Sequence, residues 1–575
     1  MNDTWAGVLS VAAVVTVLAV AHAPLGDYMA RTFRSHKDLG VERLIYRVAR
    51  IDPRAGQNWR AYAMSVLGFS VASLVFLYVL QRVQGVLPWS DGKPAVSPAM
   101  AFNTAISFVT NTDWQSYSPE ATVSNLTQML GLAVQNFLSA AVGLAVAVAV
   151  IRGVVARRRD RDLSLTPGSG DLGNFWVDLV RGTVRILLPL AFVVAAILVL
   201  QGAVQSWRTG FDFTMLDGRD GHAPVGPFAS QEAIKVLGTN GGGTYAANSA
   251  HPFSVPTPLA NIVEIIAVLL IPVSLTRTYG TLVGDRRQGY TLLGVMTTIW
   301  VALVALVWAF EAHAGGVATD AAGAAMEGKE NRFGVFGSAL FGVSTTGTST
   351  GAVNSAHDSF SGASGGGLTW NMLLGEIAPG GVGSGLYGLL ILAVITVFVG
   401  GLLVGRSPEF LGKRIGQHEI TLAAMYVLVM PALVLTGVSI SAVLGSTRDA
   451  LGNDGPTGSP NAIHGFSEIL YAYASAANNN GSAFGGLTVT SDWFQISLGL
   501  AMLFGRFLPI VIVLALAGRL ASQTPRTPAD DGARAASLPS HGVVYGSLLL
   551  GTTLLVAGLT FFPAMALGPI AEAFA

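Results

Sequence analysis

The sequence predicts an all-α polytopic membrane protein. It would have ten transmembrane helices: four fused helix–pore loop–helix repeats in a pseudo-fourfold arrangement, plus one extra helix at each end. Three observations predict this. Charged residues make up 11% of the 575-residue chain and hydrophobic residues 51%, whereas a soluble domain carries roughly 25% charge. Ten apolar stretches approach or exceed the roughly 20 residues that cross a hydrocarbon core of about 30 Å. Four further apolar stretches are too short to cross, and each runs into glycine, threonine, serine or asparagine.

The same composition excludes several other classes. Disorder needs low hydrophobicity and high charge. The absence of cysteine removes disulfides, thiolate metal sites and cysteine nucleophiles. Lys and Arg balance Asp and Glu at 33 each, so no basic footprint points to nucleic acid.

The spans read as Trp5 to Ala21, Ala61 to Leu80, Leu130 to Ile151, Val184 to Val204, Leu259 to Leu275, Tyr290 to Phe310, Leu386 to Val404, Ile420 to Leu444, Phe494 to Ala517 and Val543 to Phe562. The first ends in Ala21-His22-Ala23, but no basic residue precedes it in Met1 to Thr4, so it reads as a retained helix. Cytoplasmic loops accumulate Lys and Arg. With the N-terminus outside, 24 of the 33 basic residues fall on cytoplasmic segments and 8 on external ones, with Arg506 inside a span. Both termini are therefore expected on the external side.

The short apolar stretches are Met100 to Val109, Ser230 to Leu237, Gly334 to Val343 and Phe466 to Ala476, all on the external side. Stretches of 10 to 14 apolar residues suit re-entrant segments. They continue into Thr110-Asn111-Thr112-Asp113-Trp114-Gln115, Gly238-Thr239-Asn240-Gly241-Gly242-Gly243-Thr244, Thr346-Gly347-Thr348-Ser349-Thr350-Gly351 and Asn478-Asn479-Asn480-Gly481-Ser482. Matching Asn111, Asn240, Ser349 and Asn479 gives intervals of 129, 109 and 130 residues, the mark of internal repeats. The expected units are 1–60 (first helix and loop), 61–152, 184–280, 289–415 and 420–520 (repeats one to four), and 543–575 (last helix).

Irregular backbone at membrane depth must be buried in protein or line a cavity, so four such loops require a common axis. Glycine lets successive carbonyls point one way, and a ring of carbonyls replaces the water shell of an alkali cation. Few fixed charges lie in the loops, which suits a monovalent cation better than a divalent one.

These loops resemble those of the KdpA family, the A subunits of bacterial Kdp potassium-transporting ATPases, within a superfamily of K⁺ transporters built from four fused channel-like units. The resemblance is carried by Thr110 to Tyr117, Thr239 to Thr244, Thr350 to Asp358 and Asn478 to Phe484, and it extends over essentially the whole chain. It implies a K⁺ filter lined by Asn111, Thr112, Thr239, Asn240, Gly241, Ser349, Thr350, Gly351, Asn479, Asn480 and Gly481, with Gln115 at its outer end. Two residues depart from the family pattern: Thr350 stands where a cysteine is expected, and Asp113 where an asparagine is expected, adding a negative charge near the mouth.

Arg506 lies mid-span, where a charge costs about 2.5–3.5 kcal/mol on insertion scales, so it should face the interior. It could hold helix-end carbonyls or a carboxylate; the resemblance favours a fixed charge below the filter that opposes leakage. Gly375 to Gly385 is too glycine-rich for a helix interior. It reads either as a solvent loop or, from the resemblance, as a broken inner helix that gates the route below the third filter. In the second reading Glu376 is a candidate cation contact and Gly380 and Gly381 lie at the break.

His251, His357 and His464 lack metal-ligand spacing and read as structural. Gly323 to Glu330 mimics a P-loop, but Glu330 replaces the required Ser/Thr. With no Asp-Lys-Thr-Gly-Thr motif either, the chain is expected to bind no ATP and to carry no catalytic site.

The resemblance implies a K⁺-binding and translocating subunit in a bacterial plasma (inner) membrane. Its partners would be a catalytic P-type ATPase subunit (KdpB-like), a KdpC-like subunit, a small KdpF-like peptide and membrane lipids. The alternative is a stand-alone K⁺ channel or ion-coupled transporter of the same superfamily.

Overall fold

The computed structural model describes residues 3–155, 170–315, 325–453, 463–523 and 539–574. Arg157, Arg158, Arg159 and Arg161, Arg526 and Arg534, and Gly323 and Ala324 of the P-loop-like stretch lie outside the described residues.

Among the described residues, ten helices are long and apolar enough to cross a membrane. In chain order they are Asp3–Arg34, Trp59–Val83, Thr127–Val155, Phe175–Leu200, Pro258–Val283, Arg286–Ala312, Ser384–Leu403, Gln417–Val443, Asp492–Ser522 and Val543–Phe574. A helix satisfies its own backbone inside lipid, which is why apolar runs of this length take that form. The first helix runs well past the predicted Ala21, and Asp27 near its C-terminal end is paired with Arg277 (2.7 Å).

The four short apolar stretches form helices that do not cross: Pro98–Val109, Phe228–Leu237, Gly334–Thr346 and His464–Asn478. Each is a pore helix followed by an extended loop and then a span. After the third loop that span is broken, with Gly362–Leu373 and Ser384–Leu403 as its halves. A two-stranded hairpin, Gly210–Thr214 with Asp220–Pro224, precedes the second pore helix.

The span Thr127–Val155 is central, with 94% of its apolar window buried, whereas Gln417–Val443 has only 22%. Small Ala, Gly and Val residues in Ser139–Val155 let neighbours approach on every side. At Gly143 a Cβ would collide with the carbonyl of Val382 in the broken-helix loop. Large apolar side chains such as Met64, Val71, Phe192 and Leu428 face outward, as lipid requires.

Several basic residues in predicted cytoplasmic segments also act as staples. Arg152 forms a two-pronged pair with Asp178 (2.5 and 2.8 Å), and the Tyr62 hydroxyl donates to the same carboxylate (3.0 Å). Arg181 holds Asp38 and Arg185 holds Glu42, fixing the loop after the first span. Lys235, counted above with the external charges, is buried in the second pore helix.

Candidate ion filter and inner cavity

All four pore helices end the same way. Within one to three residues of each helix end the chain takes a left-handed turn, at Asn111 (φ 66°), Thr239 (φ 49°), Ser349 (φ 55°) and Asn479 (φ 59°). The next N–H returns five residues into the helix: Thr112 to the Ser107 carbonyl (3.0 Å), Asn240 to Lys235 (3.0 Å), Thr350 to Thr345 (3.2 Å) and Asn480 to Ser475 (2.9 Å). This six-to-one closure ends a helix at a left-handed residue, and here it occurs four times. It also corrects the repeat register. Thr239, not Asn240, is the structural counterpart of Asn111, Ser349 and Asn479, so the intervals are 128, 110 and 130 residues.

A left-handed non-glycine residue costs roughly 1–2 kcal/mol, and side chains between loops offset it. Asn111 Nδ2 donates to the Thr239 carbonyl (2.7 Å), Ser349 Oγ to the Asn479 carbonyl (2.9 Å), and Asn479 Nδ2 to Thr112 Oγ1 (3.0 Å). These bonds tie loop one to two, three to four, and four to one. At Gly241 a Cβ would sit 2.7 Å from the Thr112 oxygen and 3.0 Å from the Thr350 oxygen, so the carbonyls of loops one and three converge beside loop two. Gly351 likewise abuts the Asn480 carbonyl and Gly481 the Thr112 carbonyl. The negative ends of the four helix dipoles lie at these loops, a favourable setting for a cation.

The side chains at the two departures from the family pattern differ: one is hydrogen-bonded and the other is buried without a hydrogen-bond partner among the described residues. The Thr350 hydroxyl is hydrogen-bonded to Thr348 (2.5 Å), just as Thr112 is to Thr110 (2.8 Å). Asp113 occupies the position taken by Gly241, Gly351 and Gly481, and its carboxyl is fully buried with neither oxygen hydrogen-bonded among the described residues. Gln115 stands at the outer end, donating to the Gly243 carbonyl (3.1 Å). Above it opens a vestibule of about 700 Å³ bordered by Gln115, Asn248, Lys329, Ser355 and Phe484.

Below the third and fourth loops lies a second cavity, of about 110 Å³, whose lining includes Ser349, Glu376, Tyr387, Asn479, Arg506 and Phe561. The Gly375 to Gly385 stretch is the break in the seventh span, with left-handed backbone at Gly375, Glu376, Gly380 and Gly383. Its loop braces two filters: Gly380 N donates to the Gly347 carbonyl (2.8 Å), and Val382 N to Thr239 Oγ1 (2.9 Å). Gly381 packs against Ser349 and the Thr348 carbonyl. Glu376 is buried, and neither of its carboxylate oxygens has a hydrogen-bond partner among the described residues. Arg506 lines the same cavity as Glu376.

Two features were not legible in the sequence. The first is the buried set Glu232, Lys235 and Glu264 behind the second loop. The second is an ion network beside the C-terminal helix, where His464 bridges Asp358 (3.0 Å) and Glu572 (2.7 Å). Asp358, His464 and Glu468 lie within ligand reach of one another, but both His464 nitrogens bond carboxylates, and Glu468 accepts from Gly452 and Asn453. That pattern is a staple for the C-terminal helix. His251 stacks on Tyr245 (3.7 Å) and His357 meets the Tyr471 hydroxyl (2.8 Å), as structural histidines do.

Ten spans around four re-entrant loops with a common turn define a pore-loop membrane protein. The sequence profile of the KdpA family, described as "Potassium-transporting ATPase A subunit", matches residues 12–574, and the chain belongs to that family. It is 65% identical over 573 residues to the potassium-transporting ATPase potassium-binding subunit of Nocardia farcinica. It is 64% identical to that of Rhodococcus erythropolis and 56% to that of Kineococcus radiotolerans. The alignments span all of this chain and 99–100% of each relative. Among solved structures it is similar to the potassium transporter TrkH from Vibrio parahaemolyticus (TM-score 0.48, 15% identity, 78% of this chain and 84% of that one).

Proposed function

We propose that this chain is the potassium-binding and translocating subunit of an ATP-driven K⁺ uptake complex. K⁺ enters the vestibule from outside and sheds water against the carbonyls of the four loops. It is bound by Asn111, Thr112, Thr239, Asn240, Gly241, Ser349, Thr350, Gly351, Asn479, Asn480 and Gly481, and then passes to the cavity beneath the third filter. The observation that carries this reading is the fourfold recurrence of one turn and one backbone bond at converging loops, in a chain of the KdpA family.

The inner cavity supports a sideways exit. Tyr426 and Met430 of the eighth span and Ala557 and Phe561 of the tenth line it, while Arg506 holds a fixed positive charge that opposes free flow inward. Glu376 offsets that charge and offers the ion a carboxylate. Gly380 and Gly381 give the broken helix its bend. ATP is hydrolysed by a partner P-type ATPase subunit (KdpB-like), with KdpC-like and small KdpF-like subunits completing the complex. This chain binds no ATP. Its setting is the bacterial inner membrane, with both termini outside; repeats 61–152, 184–280, 289–415 and 420–520 surround the filter. Family membership disfavours a stand-alone channel or ion-coupled transporter.

The test is co-purification with K⁺-dependent ATPase assay. ATPase activity stimulated by external K⁺ is expected in the complex, and K⁺ transport by this chain alone would overturn the reading.

A further inference from the structure

The four loops close their helices alike, but the residue that accepts the returning N–H differs. In loops one, three and four it is Ser107, Thr345 and Ser475; in loop two it is Lys235. Ser107 Oγ donates directly to the Trp114 carbonyl, two residues past Thr112 (3.0 Å). The corresponding carbonyl in loop two is Gly242. A lysine arm is too long for that short bond, and Asn248 intervenes: Lys235 Nζ donates to Asn248 Oδ1 (2.9 Å), and Asn248 Nδ2 donates to the Gly242 carbonyl.

Asn248 Oδ1 also accepts from Val353 N, just past the third filter (3.4 Å). One side chain therefore joins loop two to the chain leaving loop three. Lys235 is 1% exposed, paired with Glu232 (2.5 Å), and Ser249 Oγ donates to the same carboxylate (2.8 Å). Glu264, fully buried, faces Glu232. A buried ammonium is tolerated only when paired and hydrogen-bonded, and these partners hold it behind the filter wall.

We propose that Lys235 is a positioning residue for ion selection: held by Glu232, it orients Asn248 as a clamp that fixes the outer seam between the second and third filter loops. The spacing of the carbonyls around the ion then depends on a charge the ion never touches. This inference rests on the filter reading above. It adds one asymmetric element to that ring, placed where loops one–two, three–four and four–one use a filter side chain.

The test uses the complex co-purified with its ATPase partner, assayed with K⁺ and with Rb⁺. Asn248→Gly deletes the clamp while accepting the left-handed backbone at this position (φ 52°). The pair Lys235→Met with Glu232→Gln removes both charges together. For each, the half-saturating K⁺ concentration is expected to rise about tenfold and Rb⁺/K⁺ discrimination to weaken, with maximal rate within about twofold; a role in folding alone would lower the amount of active complex without moving either ratio. If the paired variant does not assemble, Asn248→Gly decides. Half-saturation and Rb⁺/K⁺ ratios within about twofold of the parent overturn the inference when Gly241→Asp shifts them. If Gly241→Asp also leaves them unchanged, the filter reading itself fails and takes the inference with it.

Discussion

The backbone N–H of Val382 donates to the hydroxyl of Thr239 at 2.9 Å. The loop that breaks the seventh span is thereby anchored to the second filter, 143 residues away in sequence, as well as to the third through Gly380 and Gly347. A movement of the broken helix would be felt by both filters.

Thr239→Val keeps the shape and removes the acceptor. A buried N–H left unmade costs about 1–3 kcal/mol. The expected outcome is a lower melting temperature of the purified complex and a several-fold rise in half-saturating K⁺. Unchanged values in both assays would mean the bond braces nothing.

Arg506→Gln removes the fixed charge from the inner cavity. Passive K⁺ flux through the reconstituted complex without ATP is expected to rise at least about tenfold, while Arg506→Lys stays near the parent. Isotope or dye-based flux in vesicles measures this. A tight Arg506→Gln complex would assign the block to another group.

The His464 staple gives a pH dependence. Burial opposes a charge on His464, but the Asp358 and Glu572 carboxylates hydrogen-bonded to it outweigh burial and push its pKa up to about 10. A basic group raised in the folded state stabilises fully below its unfolded pKa, about 6.5, and that stability is lost as pH rises towards 10. Thermal stability of the complex is expected to fall across that window, with a flatter profile in His464→Gln. Equal slopes for parent and variant would exclude the network as the cause.

Arg152 and Asp178 form a buried two-pronged pair. Removing one partner of such a pair costs about 3–5 kcal/mol. Arg152→Ala is therefore expected to lower the yield of folded protein sharply in fluorescence-detected size exclusion. A normal profile would mean the packing around these helices holds without the pair.

The spans and pore helices were legible because length and hydropathy decide them: a stretch such as Met100 to Val109 cannot cross, and its polar successor must be buried in protein. The loop register was one residue off in repeat two. Residue type pairs Asn111 with Asn240, whereas the backbone pairs it with Thr239, and nothing local predicts a β-branched residue at φ 49°. Lys235 was unreadable for a different reason. A lone lysine in an external segment looks like a solvated charge, and only tertiary contacts with Glu232 and Asn248 reveal a buried one.

The central claim is that the four converging loops bind the transported ion. It is tested most directly by the K⁺ dependence of ATPase activity in the co-purified complex carrying Gly241→Asp. A side chain there meets the Thr112 and Thr350 carbonyls, so half-saturating K⁺ is expected to rise by at least about tenfold with loss of ion discrimination. An unaltered K⁺ dependence in an assembled, active Gly241→Asp complex would contradict it.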